Sequence, residues 1–311
     1  MTESRARLYP DRTRWSAQRA RWEAGNEKRC PDGRRRYRHW TLFKLGLSVF
    51  GLGLRAIGLY GRGVRNALDV RLNEFEVAVG GLPDAFDGYR ILQLSDLHVD
   101  AHEAMAGAIA RAVGGVEADL CVMTGDYRFR VHGTAEAVAP GMTVLARRLR
   151  ARDGVFAVLG NHDSADMAPL FESLGIRVLV NETATLVRDG EALHVTGIDD
   201  VHYYYSDDAG AALAYAPEGC RIALVHSPEL AEQAAEAGIA LYLTGHTHGG
   251  QVCLPGGRAV ITHSRGRRRF AAGLWRHGAM IGYTSRGAGV SGLPVRFNCP
   301  GEAALITLRR G

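Results

Sequence analysis

Tyr89 to His98 read YRILQLSDLH, an apolar run that stops at Ser95-Asp96-Leu97-His98. The same design recurs four more times. DLCVM at 119–123 leads to Gly125-Asp126, and VFAVL at 155–159 leads to Gly160-Asn161-His162-Asp163. Ile222 to Val225 leads to His226, and Ala240 to Leu243 leads to Gly245-His246-Thr247-His248. Short, uniformly apolar runs are the mark of strands buried on both faces. Helical stretches are expected near 102–115, 134–150, 166–174 and 229–237. Further strands are expected at 72–79, two or three within 176–198, and at 280–284 and 303–308. Strand–helix order followed by mostly strand implies an α/β fold, a four-layer α/β/β/α sandwich of two mixed sheets flanked by helices. Polar residues at strand ends then gather on one rim, where open α/β sheets bind their ligands.

Those strand-end residues share one chemistry. His98, His226, His246 and His248 supply imidazoles, Asp96 and Asp126 carboxylates, and Asn161 an amide oxygen. Asp96 and His98 are two residues apart, as are His246 and His248, so each pair points one way on extended backbone. Asp126, at a strand tip after a glycine, suits a carboxylate shared by two ions. Mixed N/O donors without thiolate favour Mn²⁺, Fe²⁺, Zn²⁺ or Co²⁺ over Ca²⁺. Two divalent ions suit in-line displacement at phosphorus by an activated water. His162 stands beside a ligand and is placed to protonate the leaving oxygen. Asp163 is expected to orient its ring by a hydrogen bond.

Composition sets the frame around this site. The chain has 311 residues and is 46% hydrophobic, enough for one large core over residues 72–311. The net charge of +5 is unevenly placed: residues 1–71 hold 17 Lys/Arg against 6 Asp/Glu. Residues 1–40 are polar, Arg-rich and without apolar period, and read as a mobile tail, though Trp15, Trp22 and Trp40 suit partial ordering on a surface. Residues 41–71 are apolar and basic, and their longest uncharged run, Leu45 to Leu54, is too short to span a bilayer, which takes about 20 residues. Three readings stay open for this segment: an amphipathic helix on an anionic membrane surface, a helix packed on the body, or an export signal introduced by Arg34-Arg35-Arg36. Cys30, Cys121, Cys220, Cys253 and Cys299 show no CxxC spacing and read as reduced thiols.

Taken in order, the five motifs resemble the calcineurin-like metallophosphoesterase superfamily over about residues 88–250. The resemblance implies that Asp96, His98, Asp126 and His248 hold one metal, that Asp126, Asn161, His226 and His246 hold the other, and that His162 is the catalytic histidine. It extends to Gly197-Ile198-Asp199-Asp200, to Gly249-Gly250-Gln251-Val252, and to the late run Ser285 to Gly289 with Gly292 to Phe297. These are similar to a bacterial membrane-associated branch of phosphodiesterases. Some members of that branch act on UDP-2,3-diacylglucosamine in lipid A biosynthesis. Tyr127-Arg128-Phe129-Arg130 departs from the more apolar sequence of many relatives, which bears on the substrate.

The leading expectation is a dinuclear, most simply manganese, hydrolase of a phosphodiester or pyrophosphate in a nucleotide-sugar lipid. It would sit peripherally on the cytoplasmic face of the inner membrane, with an exported location as the alternative. A soluble cyclic-nucleotide phosphodiesterase or phosphoprotein phosphatase uses the same site. A basic-tailed nucleic-acid binder is the non-enzymatic alternative, but the tail carries no nucleic-acid module and no specific nucleic-acid partner is expected. Arg286 is read either as a substrate-phosphate ligand or as a support of the C-terminal turn. Tyr203-Tyr204-Tyr205 line a pocket mouth or cap a loop, and His102 is second to the ligands or on the surface.

Overall fold

The computed structural model describes residues 11–25, 27–31, 35–37, 41–260, 262 and 268–311. Residues 1–10, Arg34 and Trp40, which the sequence placed in the tail, lie outside them. Two six-stranded sheets form the body. The first runs, in spatial order, Arg71–Val79, Glu302–Arg310, Arg90–Leu94, Leu120–Met123, Val155–Ala157 and Ile176–Val178. Its last four strands are parallel, and Glu302–Arg310 joins them antiparallel. The second runs Gly273–His277, Met280–Thr284, Leu241–Thr244, Cys220–Leu224, Glu191–Gly197 and Glu182–Arg188. Its four middle strands are parallel and its two edges antiparallel.

Strand alternation builds three cores from these two sheets. Ile91, Leu120, Val122, Ile222, Leu224 and Leu243 fill the space between the sheets. Leu92, Leu94, Cys121 and Met123 face outward beneath Met105, Ile109, Met142 and Phe171 of the first helical layer. On the far side, Ala223, Val225 and Tyr242 pack under Ala212, Leu213 and Ala234. The four-layer α/β sandwich expected from the sequence is therefore the observed fold. Truncating Leu92, wholly buried, to alanine would leave a cavity costing about 2–5 kcal/mol.

Four elements differ from the sequence reading. The tail is not uniform, because Arg12–Ala24 is a helix docked on the body. Its anchor is a buried arginine rather than an apolar stripe, so no hydrophobic period marks it. Helix Asp207–Ala214 and strand Gly273–His277 were not expected. The helix expected over 134–150 is a 3₁₀ turn, Ala135–Ala137, followed by Ala139–Ala146 with Pro140 in its first turn.

The 41–71 segment forms helices Thr41–Ala56 and Tyr60–Leu68, broken where Gly58 adopts φ 72°. The second docks by two hydrogen bonds, Gly63 O accepting the Arg296 backbone N–H and the Asn66 side-chain amide donating to Arg296 O, and its Ala67 enters the first core. Among the described residues no helix is long and apolar enough to cross a membrane.

Candidate metal centre

Each motif leaves its strand at the same rim. Asp96 lies two residues beyond Arg90–Leu94, Asp126 three beyond Leu120–Met123, and Asn161 four beyond Val155–Ala157. His226 and His246 each lie two residues beyond Cys220–Leu224 and Leu241–Thr244. The first sheet thus brings Asp96, His98, Asp126, Asn161 and His162, and the second brings His226, His246 and His248. The side chains of all eight are buried or nearly so.

The turns are strained in a way that aims the donors. Among the described residues nine non-glycine residues have positive φ, and five of them are Asp96, His98, Asp126, His246 and His248. Left-handed backbone costs such residues about 1–3 kcal/mol each, so its concentration here marks a functional rim. Gly245 allows the two sheets to meet, since a Cβ there would overlap Ser95 Oγ and the Asp96 carboxylate.

The donor atoms form two groups. Asp96, His98 and His248 place one ligand atom each within 4.8 Å of one another, and so do Asp126, His226 and His246. His98 Nε2 and His248 Nε2 are 3.3 Å apart, and His248 Nε2 is 3.3 Å from Asp96 Oδ1. In the second group His226 Nε2 lies 3.2 Å from His246 Nδ1, 3.1 Å from Asn161 Oδ1 and 3.3 Å from Asp126 Oδ2. Two nitrogens bound to one tetrahedral ion at about 2.1 Å would be about 3.4 Å apart, so these spacings match the edges of a coordination shell. Asp126 Oδ2 is also 3.9 Å from His98 Nε2 and therefore stands between the two groups.

Backbone carbonyls set the tautomers. His98 Nδ1 lies 2.7 Å from Arg128 O, and His226 Nδ1 lies 2.8 Å from Thr124 O. An Nδ1–H donated to each carbonyl turns Nε2 toward the centre, where it can bind an ion once it carries no proton. His162 follows the same rule, with Nδ1 2.8 Å from Phe129 O and Nε2 3.9 Å from Asp126 Oδ2.

The protein alone is a tense electrostatic arrangement. Burial, helped by the neighbouring imidazoles, lowers His98 to about 3, so it is neutral and ready to donate. Burial also lowers His226, but Asp126 more than reverses this and raises it to about 10. Burial would raise Asp126, yet His226, His162 and His98 hold it well below the usual carboxylate range. Asp96 is pushed up to about 7 by burial, with His226 opposing. Two buried carboxylates facing four imidazoles are the charge balance that divalent ions satisfy.

A family model described as calcineurin-like phosphoesterase matches residues 89–250, which contain every one of these donors. The chain belongs to the calcineurin-like phosphoesterase family. It is a metal-dependent phosphoester hydrolase, and its two donor groups fit a pair of divalent ions. Uncharacterized metallophosphoesterase YkuE of Bacillus subtilis is 30% identical over 253 residues, covering 77% of this chain and 86% of that protein. Phosphodiesterase YaeI of Escherichia coli is 29% identical over 231 residues, 71% of this chain and 82% of that protein. A Danio rerio protein named transmembrane protein with metallophosphoesterase domain is 28% identical over 289 residues, 85% of this chain. The phosphoesterase chain spans 63% of that relative's length.

One expectation about a neighbouring residue is corrected, and of the two readings of Arg286 the structure favours support of the C-terminal turn. Asp163 does not meet the His162 ring: its carboxylate accepts the backbone N–H groups of Asp126, Tyr127 and Gly160 at 2.7–2.8 Å. Arg286 is engaged by Glu302, which takes its Nε at 2.9 Å, its NH2 at 2.6 Å and its backbone N–H at 2.8 Å. It serves the C-terminal turn. That turn in turn backs the first motif, with Ala288 and Gly289 N–H donated to Ser95 and Asp96 carbonyls. His102 receives the Ala104 N–H, outside both donor groups.

The cavity over the centre encloses about 610 Å³, and Lys44, Arg130, His132, His202 and Tyr203 line it beside the ligands. Lys44 and His202 lie far from the motifs in sequence, and only the fold brings them there. Arg130 sits in the tract that departs from the family pattern, which was the one sequence signal for it.

Proposed function

We propose that the enzyme hydrolyses a phosphodiester or pyrophosphate in an amphiphilic, lipid-linked substrate such as UDP-2,3-diacylglucosamine. The observation that carries this reading is a second cavity. It encloses about 500 Å³, is walled by Leu47, Phe50, Val252, Val260, Leu293 and Val295, and shares Leu47, His248, Ser291 and Gly292 with the cavity over the metal centre. A polar, cation-lined chamber joined to an apolar one suits a phosphate head joined to an acyl chain.

The roles follow from the geometry. Asp96, His98, Asp126 and His248 would hold one ion, and Asp126, Asn161, His226 and His246 the other. Two divalent ions supply charge for the phosphate oxygens and lower the pKa of an attacking water. His162, its ring fixed by Phe129 O, presents Nε2 to the cavity and delivers a proton to the leaving oxygen. Lys44 and Arg130 at the mouth attract and orient the anionic group.

In this reading helix Thr41–Ala56 rests on a membrane surface. Leu45, Val49, Leu52 and Ile57 are 60–66% exposed, on or next to the helix that also walls both cavities. An apolar helix face flanked by Lys44, Arg55, Arg62 and Arg65 suits an anionic leaflet. The Escherichia coli relative is named a phosphodiesterase, which agrees with diester chemistry.

The test uses full-length protein in detergent micelles with Mn²⁺ and UDP-2,3-diacylglucosamine, following UMP release. Bis-p-nitrophenyl phosphate is hydrolysed in a parallel tube. UMP release at least as fast as the generic reaction supports the substrate. Generic hydrolysis without UMP release removes that substrate and leaves the hydrolytic centre standing.

A further inference from the structure

Two arginines among the described residues are fully buried, Arg296 and Arg19, and Arg19 stands in the N-terminal helix that the sequence read as tail. Its side chain is fully excluded from solvent. NH1 pairs with Asp199 Oδ1. NH2 donates to Gly160 O at 3.1 Å and to Asp163 O at 3.0 Å. Nε lies 3.1 Å from Glu23, and the guanidinium stacks 3.8 Å from the Tyr204 ring centre.

These partners are not scattered. Gly160 and Asp163 bracket Asn161 and His162, so one guanidinium closes both ends of the turn that carries them. Glu23 of the same helix accepts the Ala165 N–H at 2.9 Å, one turn further on. Asp199 also accepts the Trp15 ring N–H at 2.8 Å. The next residue, Asp200, accepts the N–H groups of His202 and Tyr203, whose side chains line the cavity. Beyond the helix, Arg29 exchanges backbone bonds with Tyr203 and Tyr205.

We propose that residues 15–25, with 27–29 after them, are a strap that completes the hydrolytic centre, with Arg19 as a positioning residue for Asn161 and His162. A buried guanidinium is costly unless it is paired and hydrogen-bonded; here NH1 and NH2 are met by the loop opposite and by the catalytic turn, while Nε, without a hydrogen bond, faces Glu23 of the same helix. Lysine cannot replace it, because one ammonium lacks the planar fork that reaches a carboxylate and two carbonyls together. A cleavage after residue 71 would remove the strap and leave Asp199 buried without its cation. The strap thus belongs to the working enzyme.

The experiment compares full-length Arg19→Lys and Arg19→Met with the control Arg12→Met. Arg12 anchors the same helix at Val178 O and Glu182, away from the catalytic turn. Two readouts are taken: amide hydrogen exchange over residues 160–165 in metal-free protein, and kcat and KM on bis-p-nitrophenyl phosphate with Mn²⁺. In Arg19→Lys, exchange over 160–165 should quicken by about tenfold or more, and kcat should fall by about tenfold or more with KM little changed. Arg12→Met should leave both close to the parent. The inference is overturned if Arg19→Lys keeps parental exchange and kcat, or if Arg12→Met loses as much, which would make the helix a generic brace. Should Arg19→Met fail to fold, Arg19→Lys decides alone. The proposal uses the metal-centre reading only to give Asn161 and His162 their roles. An inactive parent would sink that reading, and the exchange data would still judge the strap.

Discussion

The carboxylate of Asp163 passes its neighbour His162 and accepts the backbone N–H of Asp126 at 2.7 Å. With Tyr127 and Gly160 it gathers three amides from the two turns that present Asp126 and Asn161. Asp163→Ala would leave three buried donors unmet, a cost of about 3 kcal/mol or more. The expected outcome is a clear fall in Tm together with weaker metal retention. A variant with parental Tm would contradict the role.

His162 and Asp126 should separate by metal content. His162→Ala removes a proton donor, so both ions should stay while kcat falls by about 10²–10⁴-fold. Asp126→Ala removes the carboxylate standing between the two donor groups and should lose metal. Metal analysis of the two purified variants checks this, and equal loss in both would mean that His162 is a ligand.

Metal affinity should rise with pH. In the metal-free protein His226 is held protonated by Asp126, at a pKa of about 10, and an ion must displace that proton. Between pH 7 and 9 the apparent affinity should therefore rise about tenfold per pH unit. Below pH 7 the slope should steepen, because Asp96, at about 7, then carries a proton as well. For the metal-free fold the sign is opposite. The raised pKa of His226 stabilises fully below about 6.5, its unfolded value, and is lost as pH climbs toward 10. Calorimetric titration with Mn²⁺ across this range, with proton release read from two buffers, measures the slope.

The exposed helix face should govern membrane binding without touching the chemistry. Leu45, Val49, Leu52 and Ile57 are largely exposed, so changing all four to Asn costs little folding stability beyond helix propensity. Binding to anionic vesicles should weaken by about tenfold or more, with hydrolysis of bis-p-nitrophenyl phosphate retained. Unchanged co-sedimentation would contradict a membrane role for this face. Substitution is a cleaner test than deleting residues 1–71, which also removes Arg19.

The centre was legible in the sequence for a physical reason. Strands such as Leu120–Met123 are buried on both faces, so they read as plain apolar runs, and the candidate metal donors follow each run within two to four residues. Backbone-directed bonds leave no such pattern, which is why Asp163 was misassigned. The Arg286–Glu302 pair is invisible for a related reason, since its partners are 16 residues apart on different elements. Helix Arg12–Ala24 docks by a buried ion pair and a tryptophan N–H, not by an apolar stripe. An Arg-rich helix of that kind looks like solvated tail until its acidic partner, Asp199, is placed beside it.

The most direct measurement is a titration of metal-free, full-length protein with Mn²⁺, following hydrolysis of bis-p-nitrophenyl phosphate and bound metal together. Two donor groups with Asp126 standing between them require activity to reach its plateau only as a second ion binds per chain. Full activity at one ion per chain, or hydrolysis that persists in the metal-free protein, would contradict a dinuclear centre.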